Sequence, residues 1–182
     1  MRIIAGSHKG RKLTAPKNNA RPTLDRAKET LFNILQFSIA GRDVLDVFAG
    51  SGALGLEAVS RGANSAVFVD SDQKSVEAIE KNCKLIGCRA DVIKGNFVQA
   101  LSRLKPRKFS LVFVDPPYEN EDYCQTCLET LCANELLTTD AIVACEHKRG
   151  TELPDKIACL AKFKERAVGI ATFSFYEMGE KL

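Results

Sequence analysis

Phe109-Ser110-Leu111-Val112-Phe113-Val114-Asp115-Pro116-Pro117-Tyr118 decides how the whole chain is read. It opens as a short apolar run with no charge before Asp115, the composition of a parallel strand buried on both faces. Two prolines then stop it, because neither has an N–H to donate to a ladder. The strand therefore ends by presenting a carboxylate, a stiff pair of carbonyls and an aromatic ring at the rim of a sheet. In open α/β sheets the rim at the carboxyl ends of the strands is where ligands bind.

Outward from this stretch the chain alternates strand and helix. Upstream, Val44–Val47 reads as a strand, followed by the loop Phe48-Ala49-Gly50-Ser51-Gly52 and a helix over Ala53–Arg61, with Gly62 at its end. Ala66–Val69 is a second strand ending at Asp70. A helix over Asp72–Ile86 turns Val76, Ile79, Cys83 and Ile86 inward and closes at Gly87, and Asp91–Lys94 is a weaker strand. Downstream follow a helix over Glu121–Leu136, a strand over Ala141–Cys145, and a hairpin of Ala161–Val168 and Ile170–Glu177 about Gly169. This pattern predicts an α/β fold, a parallel doubly wound sheet finished by an antiparallel hairpin at its edge. At 182 residues it is most simply a single domain, with residues 1–40 as a basic extension on a core of 41–182.

The extension begins with a small hairpin, Arg2–Ala5 and Arg11–Ala15 about a Gly6–Gly10 turn, with little apolar surface to hold it. A loop over Pro16–Pro22 leads to a helix capped by Thr23 and running to about Phe37. Residues 1–28 hold eight of the 26 Lys and Arg but only one of the 23 Asp and Glu, so the rest of the chain is net acidic. A charge run can be merely a solvated face, but a basic segment on an acidic domain points to a polyanion, and Arg2, Lys9, Arg11, Lys12, Arg21 and Arg26 are the candidate nucleic-acid contacts. No apolar run approaches the roughly 18 residues of a membrane span. The seven cysteines show no framework spacing and are expected to be reduced thiols of a cytoplasmic protein. Cys124 and Cys127 tempt towards a metal, but with Leu128, Leu131 and Cys132 they form one stripe of an amphipathic helix, so no metal site is expected.

Asp46-Val47-Phe48-Ala49-Gly50-Ser51-Gly52 links the first strand to its helix, where glycines let backbone N–H groups approach a ligand. Gly50, Gly52 and Gly55 also satisfy G-x-G-x-x-G, with Asp70 near the distance of a ribose-binding acid, so a dinucleotide dehydrogenase competes. A carboxylate at Asp46 is poorly placed beside a pyrophosphate but well placed for an ammonium, which favours S-adenosylmethionine. Asp46, Phe48, Gly50, Ser51, Gly52, Asp70 and Asn96 are the candidate cofactor contacts. Asn96 could serve the adenine edge or cap the next helix. At Asp115-Pro116-Pro117-Tyr118 the bland alternative is a turn with a solvated Asp. The chemical one is activation of an exocyclic nucleobase amine. Asp115 and the Pro116 carbonyl would accept its N–H groups and localise its lone pair, while Tyr118 stacks the base.

Met1–Gly6, Gly10-Arg11-Lys12-Leu13, Arg21-Pro22-Thr23, Asp25-Arg26, Glu29–Asn33, Asp46–Glu57 and Val112–Tyr118 closely resemble the RsmD family, over nearly the whole chain and in the same order. Those are bacterial methyltransferases acting on a guanine N2 amine of small-subunit (16S) ribosomal RNA. The resemblance implies a class I methyltransferase fold with a seven-stranded sheet. It also implies S-adenosylmethionine held at Asp46, Gly50, Gly52, Asp70 and Asn96, and catalysis at Asp115, Pro116 and Tyr118. The expected partner is 16S RNA or the small ribosomal subunit, met by a monomer. Adenine-N6 methylation is the alternative, since the same tetrapeptide serves that amine.

Overall fold

Asp43–Val47 becomes the central strand β1 of the sheet, and the chain winds away from it in both directions. The computed structural model describes residues 1–16, 22–120 and 122–179, with the backbone alone for 22–25. In chain order the elements are α1 (Pro22–Leu35), β1 (Asp43–Val47), α2 (Ala53–Ser60), β2 (Ser65–Asp70), α3 (Gln73–Ile86), β3 (Asp91–Lys94), α4 (Phe97–Ser102), β4 (Phe109–Val114), α5 (Tyr123–Ala133), β5 (Leu137–Lys148), β6 (Lys156–Ile157), β7 (Leu160–Val168) and β8 (Ala171–Met178). The strands lie in the order β3-β2-β1-β4-β5-β8-β7-β6. The ladders from β3 to β5 are parallel, and those from β5 through β8 and β7 to β6 are antiparallel. Strand order reverses between β1 and β4, so a crevice opens at their carboxyl ends.

Because successive strand residues point to opposite faces, the sheet sorts its apolar residues into two cores. Val44, Phe68, Phe113 and Ala144 pack with Ala27, Leu31 and Phe32 of α1, Leu56 of α2 and Ile79 of α3. Leu45, Val47, Val112, Val114 and Val143 pack on the other face with Leu101 of α4 and Cys127, Leu128 and Leu131 of α5.

Several expectations are corrected. The described residues hold eight strands rather than seven, because the two-residue β6 is too short to leave a periodic signal. Strand β5 starts at Leu137, not Ala141: its register on β4 shifts between Phe109 and Leu111, which hides the strand's beginning behind Thr138-Thr139-Asp140. Helix α1 starts at Pro22, whose fixed φ suits a first turn, so Thr23 lies inside the helix instead of capping it. The cysteines are not all reduced. Cys132, where the α5 stripe runs out, is bonded to Cys159 before β7 with their Cα atoms 5.8 Å apart. Cys124 and Cys127 are buried thiols of the core, and the described residues contain no cluster able to hold a metal ion. None of the described helices is long and apolar enough to cross a membrane.

The amino-terminal hairpin closes by a single antiparallel bridge, Arg2 to Lys12. Its own apolar contribution is small, with Ile3 and Leu13 buried against the sheet. Polar anchors do the rest. Glu57 of α2, fully buried, accepts the N–H groups of Ile4 and Ala5 at 2.8 and 3.0 Å. Its carboxylate also meets Lys28 Nζ at 2.9 Å and Arg61 Nε at 2.8 Å. Burial by itself would raise the Glu57 pKa, but Lys28 and the hydrogen bonds outweigh it and hold the group below its ordinary 4.5. Asn82 of α3 adds a second anchor, accepting the Thr14 N–H and donating to the Thr14 and Ser51 carbonyls.

Glu57→Gln removes the buried carboxylate that Lys28 and Arg61 share. The substitution is expected to cost about 3–5 kcal/mol, the range for breaking one side of a buried pair. The same linkage has a pH signature. A carboxylate with a depressed folded pKa contributes stability above 4.5, and that contribution is lost as pH falls through the lower folded value. Urea unfolding at pH 7 and pH 4 checks both, and wild-type stability at pH 7 in the variant would overturn them.

Candidate active site

The site follows from strand register. Asp46 on β1 pairs with Phe68 on β2 and Phe113 on β4, and Phe113 pairs with Ala144 on β5, so these four form one row on the α1–α3 face. Two residues further along β2, β4 and β5 on the same face come Asp70, Asp115 and Glu146, whereas Phe48, just past β1 with φ 64°, turns its ring to the α4–α5 face. Asp115 and Glu146, on adjacent strands about 4.8 Å apart, therefore lie side by side, with Asp70 across β1 from them and Asp46 one row beneath.

Asp46 is buried, and its Oδ2 accepts the Gly55 N–H at 2.8 Å. Burial lifts its pKa to about 8, with the Gly55 hydrogen bond opposing and Asp70 adding to the rise. Asp70 organises the loop above: Oδ2 accepts the Gly50 N–H at 2.7 Å, and Oδ1 the Asp72 N–H at 2.9 Å. Burial first, then the charges of Glu146 and Asp46, hold Asp115 well above the ordinary carboxylate range. Its side chain accepts no hydrogen bond from the described residues. Tyr118 donates its hydroxyl to Glu146 Oε1 at 2.6 Å. Burial raises the pKa of Glu146, with this hydrogen bond opposing.

A cavity of about 580 Å³ runs over the row, bounded by Gly50, Asp70, Asp115, Pro116, Tyr118 and Glu146, with Val168 and Ile170 of the β7–β8 turn closing one side. It shares Phe48, Gly50, Asp115 and Glu146 with a smaller cavity of about 200 Å³ that reaches Asp46, Ser51, Lys28 and Met1. On the other side it shares Phe48, Asp70 and Pro117 with one of about 210 Å³ that reaches Asn96, Phe97 and Tyr123. The three together make an elongated crevice across the carboxyl ends of β3, β2, β1, β4 and β5.

A family model described as conserved hypothetical protein 95 matches residues 1–177. Ribosomal RNA small subunit methyltransferase D of Haemophilus influenzae is 35% identical over 184 residues, covering 97% of this chain and 93% of that protein. The Escherichia coli protein of the same name is 35% identical over 179 residues, with 97% and 89% covered. The chain belongs to the RsmD family. The solved structure of yhhF from Escherichia coli superposes with a TM-score of 0.86 at 34% identity, covering 100% of this chain and 99% of that one. The sheet described above is thus the methyltransferase α/β fold, mostly parallel with antiparallel carboxyl-terminal strands.

The crevice brings together Asp46, Phe48, Gly50, Ser51, Asp70, Asn96, Asp115, Pro116 and Tyr118. Asn96 caps α4, its Oδ1 accepting the Val98 N–H at 2.9 Å, and also lines the crevice, so both sequence readings of it describe the same residue. Gly52 stands behind the loop at the start of α2. Sequence reasoning missed Glu146, although its signal was present: like Asp70 and Asp115, it is the acid that follows an apolar strand. It also missed Phe97 and Tyr123, whose rings lie 4.8 and 5.8 Å from that of Phe48. Those come from α4 and α5, and only the sheet brings them together. Arg2, Lys9, Arg11, Lys12 and Arg26 are exposed, while Arg21 falls outside the described residues. Lys28, counted in the basic segment, is buried against Glu57.

Gly55 shows how tightly α2 is set against this row. A Cβ there would meet Phe68 Cε1 at 2.4 Å and Asp46 Oδ2 at 3.2 Å, whereas one at Gly50 would meet nothing within 4 Å. Gly55→Ala is therefore expected to destabilise by about 1–3 kcal/mol through overpacking. Gly50→Ala, with φ 57°, should cost only the left-handed backbone penalty of about 1–2 kcal/mol and leave the core intact. Thermal unfolding together with near-ultraviolet circular dichroism checks the contrast, and core signals unchanged by Gly55→Ala would contradict it.

Proposed function

We propose that this protein transfers a methyl group from S-adenosylmethionine to the exocyclic N2 amine of a guanine in small-subunit ribosomal RNA. The observation that carries the reading is the carboxylate row. Asp115, whose carboxyl group accepts no hydrogen bond from the described residues, stands beside Glu146 at the end of a strand that Pro116 and Pro117 cut off.

The residues present fit the cofactor. Asp70 receives one backbone N–H on each oxygen, which leaves a lone pair on each for a ribose hydroxyl. The open space at Gly50 admits close approach of a ligand to the loop. Asp70 and the clustered carboxyl groups of Asp46, Asp115 and Glu146, whose ionisation a nearby cation would favour, suit a ligand bearing an ammonium and a sulfonium and disfavour the pyrophosphate of a dinucleotide. Bound S-adenosylmethionine supplies a methyl group already activated by its sulfonium, so the chemistry requires neither a metal nor a covalent protein intermediate.

The chain's own residues have three tasks. Asp115 and the Pro116 carbonyl accept the two amine N–H groups, pulling the nitrogen towards tetrahedral geometry and freeing its lone pair. Tyr118, fixed by its hydrogen bond to Glu146, presents its ring to a base taken out of its stack. The exposed cations of the hairpin hold phosphates and set the RNA against the crevice without reading its sequence.

Nucleoside mass spectrometry of small-subunit RNA incubated with the protein and cofactor is expected to show N2-methylguanosine. N6-methyladenosine would select the other exocyclic amine, and no methylation would overturn the reading. In single-turnover assays Asp115→Asn should slow transfer by about 10²–10³, by analogy with removing one preorganised oxyanion-hole donor, while cofactor and RNA still bind. Transfer at the wild-type rate would reduce the Asp-Pro-Pro-Tyr segment to a turn.

A separate test addresses the hairpin. Replacing Lys9, Arg11 and Lys12 by Ala should weaken RNA binding across sequences. It should also flatten the dependence of log affinity on log salt by about 0.7 for each phosphate of a single strand that is no longer neutralised. Filter binding from 50 to 300 mM salt reads the slope, and an unchanged slope would make these cations a solvated face.

A further inference from the structure

Glu146 has no part in the four-residue motif, yet it is 9% exposed and borders all the space around Asp115 and Tyr118. Its Oε1 is taken by the Tyr118 hydroxyl. Its Oε2 accepts nothing among the described residues, and no buried side-chain oxygen there lacks a partner, so Oε2 opens onto the cavity. Val114 pairs with Cys145, so Asp115 and Glu146 are the next residues of adjacent parallel strands and point to the same face. The cavity therefore sets two carboxyl groups side by side, each acceptor-only when ionised.

Nucleobases differ at that spot. Guanine carries a donor, N1–H, directly beside its N2 amine. Adenine carries an acceptor, N1, beside its N6 amine. An ionised carboxylate is acceptor-only and matches the first edge while opposing the lone pair of the second.

We infer that Glu146 Oε2 is the subsite for guanine N1–H, beside Asp115 on the N2 amine, and that this carboxylate selects guanine over adenine. The inference rests on the methyl-transfer reading above and names the base that the site accepts. Tyr118 then has a second function: its hydroxyl occupies Oε1 and leaves Oε2 as the acceptor facing the base. The recognition is local to one base edge and needs no separate target-reading domain.

The test uses 2-aminopurine, which keeps the 2-amine but has an acceptor at N1. Synthetic small-subunit RNA carries either guanine or 2-aminopurine at the position that mass spectrometry identifies, and kcat/KM is measured on both. Wild type should prefer guanine by roughly 10–100-fold, the value of a hydrogen bond to a charged group. Glu146→Gln can turn its amide N–H towards the N1 acceptor, so its preference should fall to near unity. Glu146→Ala should lower the preference likewise and serves if the amide variant does not fold. A merely structural role, holding the Tyr118 ring, would slow both RNAs equally and leave the ratio unchanged. That result, or a wild type indifferent to the two bases, overturns the inference while methylation of guanine stands. Failure of wild type to methylate the guanine RNA overturns the function itself and the inference with it.

Discussion

Everything at this site depends on parallel strands running in register. A two-residue period sends Phe68, Asp46, Phe113 and Ala144 to one face, and the following acids Asp70, Asp115 and Glu146 to the same face. Two unit charges about 5 Å apart at an effective dielectric near 20 repel by about 3 kcal/mol, which makes such a row costly to assemble ionised. The structure answers with backbone N–H groups at Asp46 and Asp70, a tyrosine hydroxyl at Glu146, and raised pKa values at Asp46, Asp115 and Glu146. Strain of this kind, held by a surrounding fold, is characteristic of binding sites.

The second constraint is the attachment of the amino-terminal hairpin. With three backbone hydrogen bonds between its arms and two buried apolar residues, it draws further support from α2 and α3. Glu57 and Asn82 supply backbone partners from α2 and α3, the helices that flank the glycine loop. Asn82 also holds the Ser51 carbonyl, and the Ser51 hydroxyl points at the Met1 sulfur, so the hairpin and the loop share their supports. Polar anchors of this type permit an exposed basic face, because little of the hairpin surface has to be apolar. Lys28 marks the boundary: it lies in the basic segment by sequence, but its charge is spent inside on Glu57.

Short-range rules were enough for the strands that carry chemistry. Pro116 and Pro117 end β4 because they lack N–H groups, Gly87 ends α3 in the left-handed conformation, and Asp91–Lys94 forms strand β3 as its pattern predicts. The fold class, the glycine loop after β1 and the Asp115–Tyr118 rim were all legible in this way, because each is a local pattern of period, breaker and charge.

What lay between elements was not. The Cys132–Cys159 bond, the two-residue β6 and the displaced start of β5 arise where distant segments meet, and no local period records such meetings. Glu146 is the instructive case. The sequence by itself determined that an acid follows an apolar strand. Only the sheet, by placing β5 next to β4 in register, decided that this acid shares a face with Asp115 and holds Tyr118, because side-chain direction alternates locally while strand adjacency depends on the whole winding of the chain.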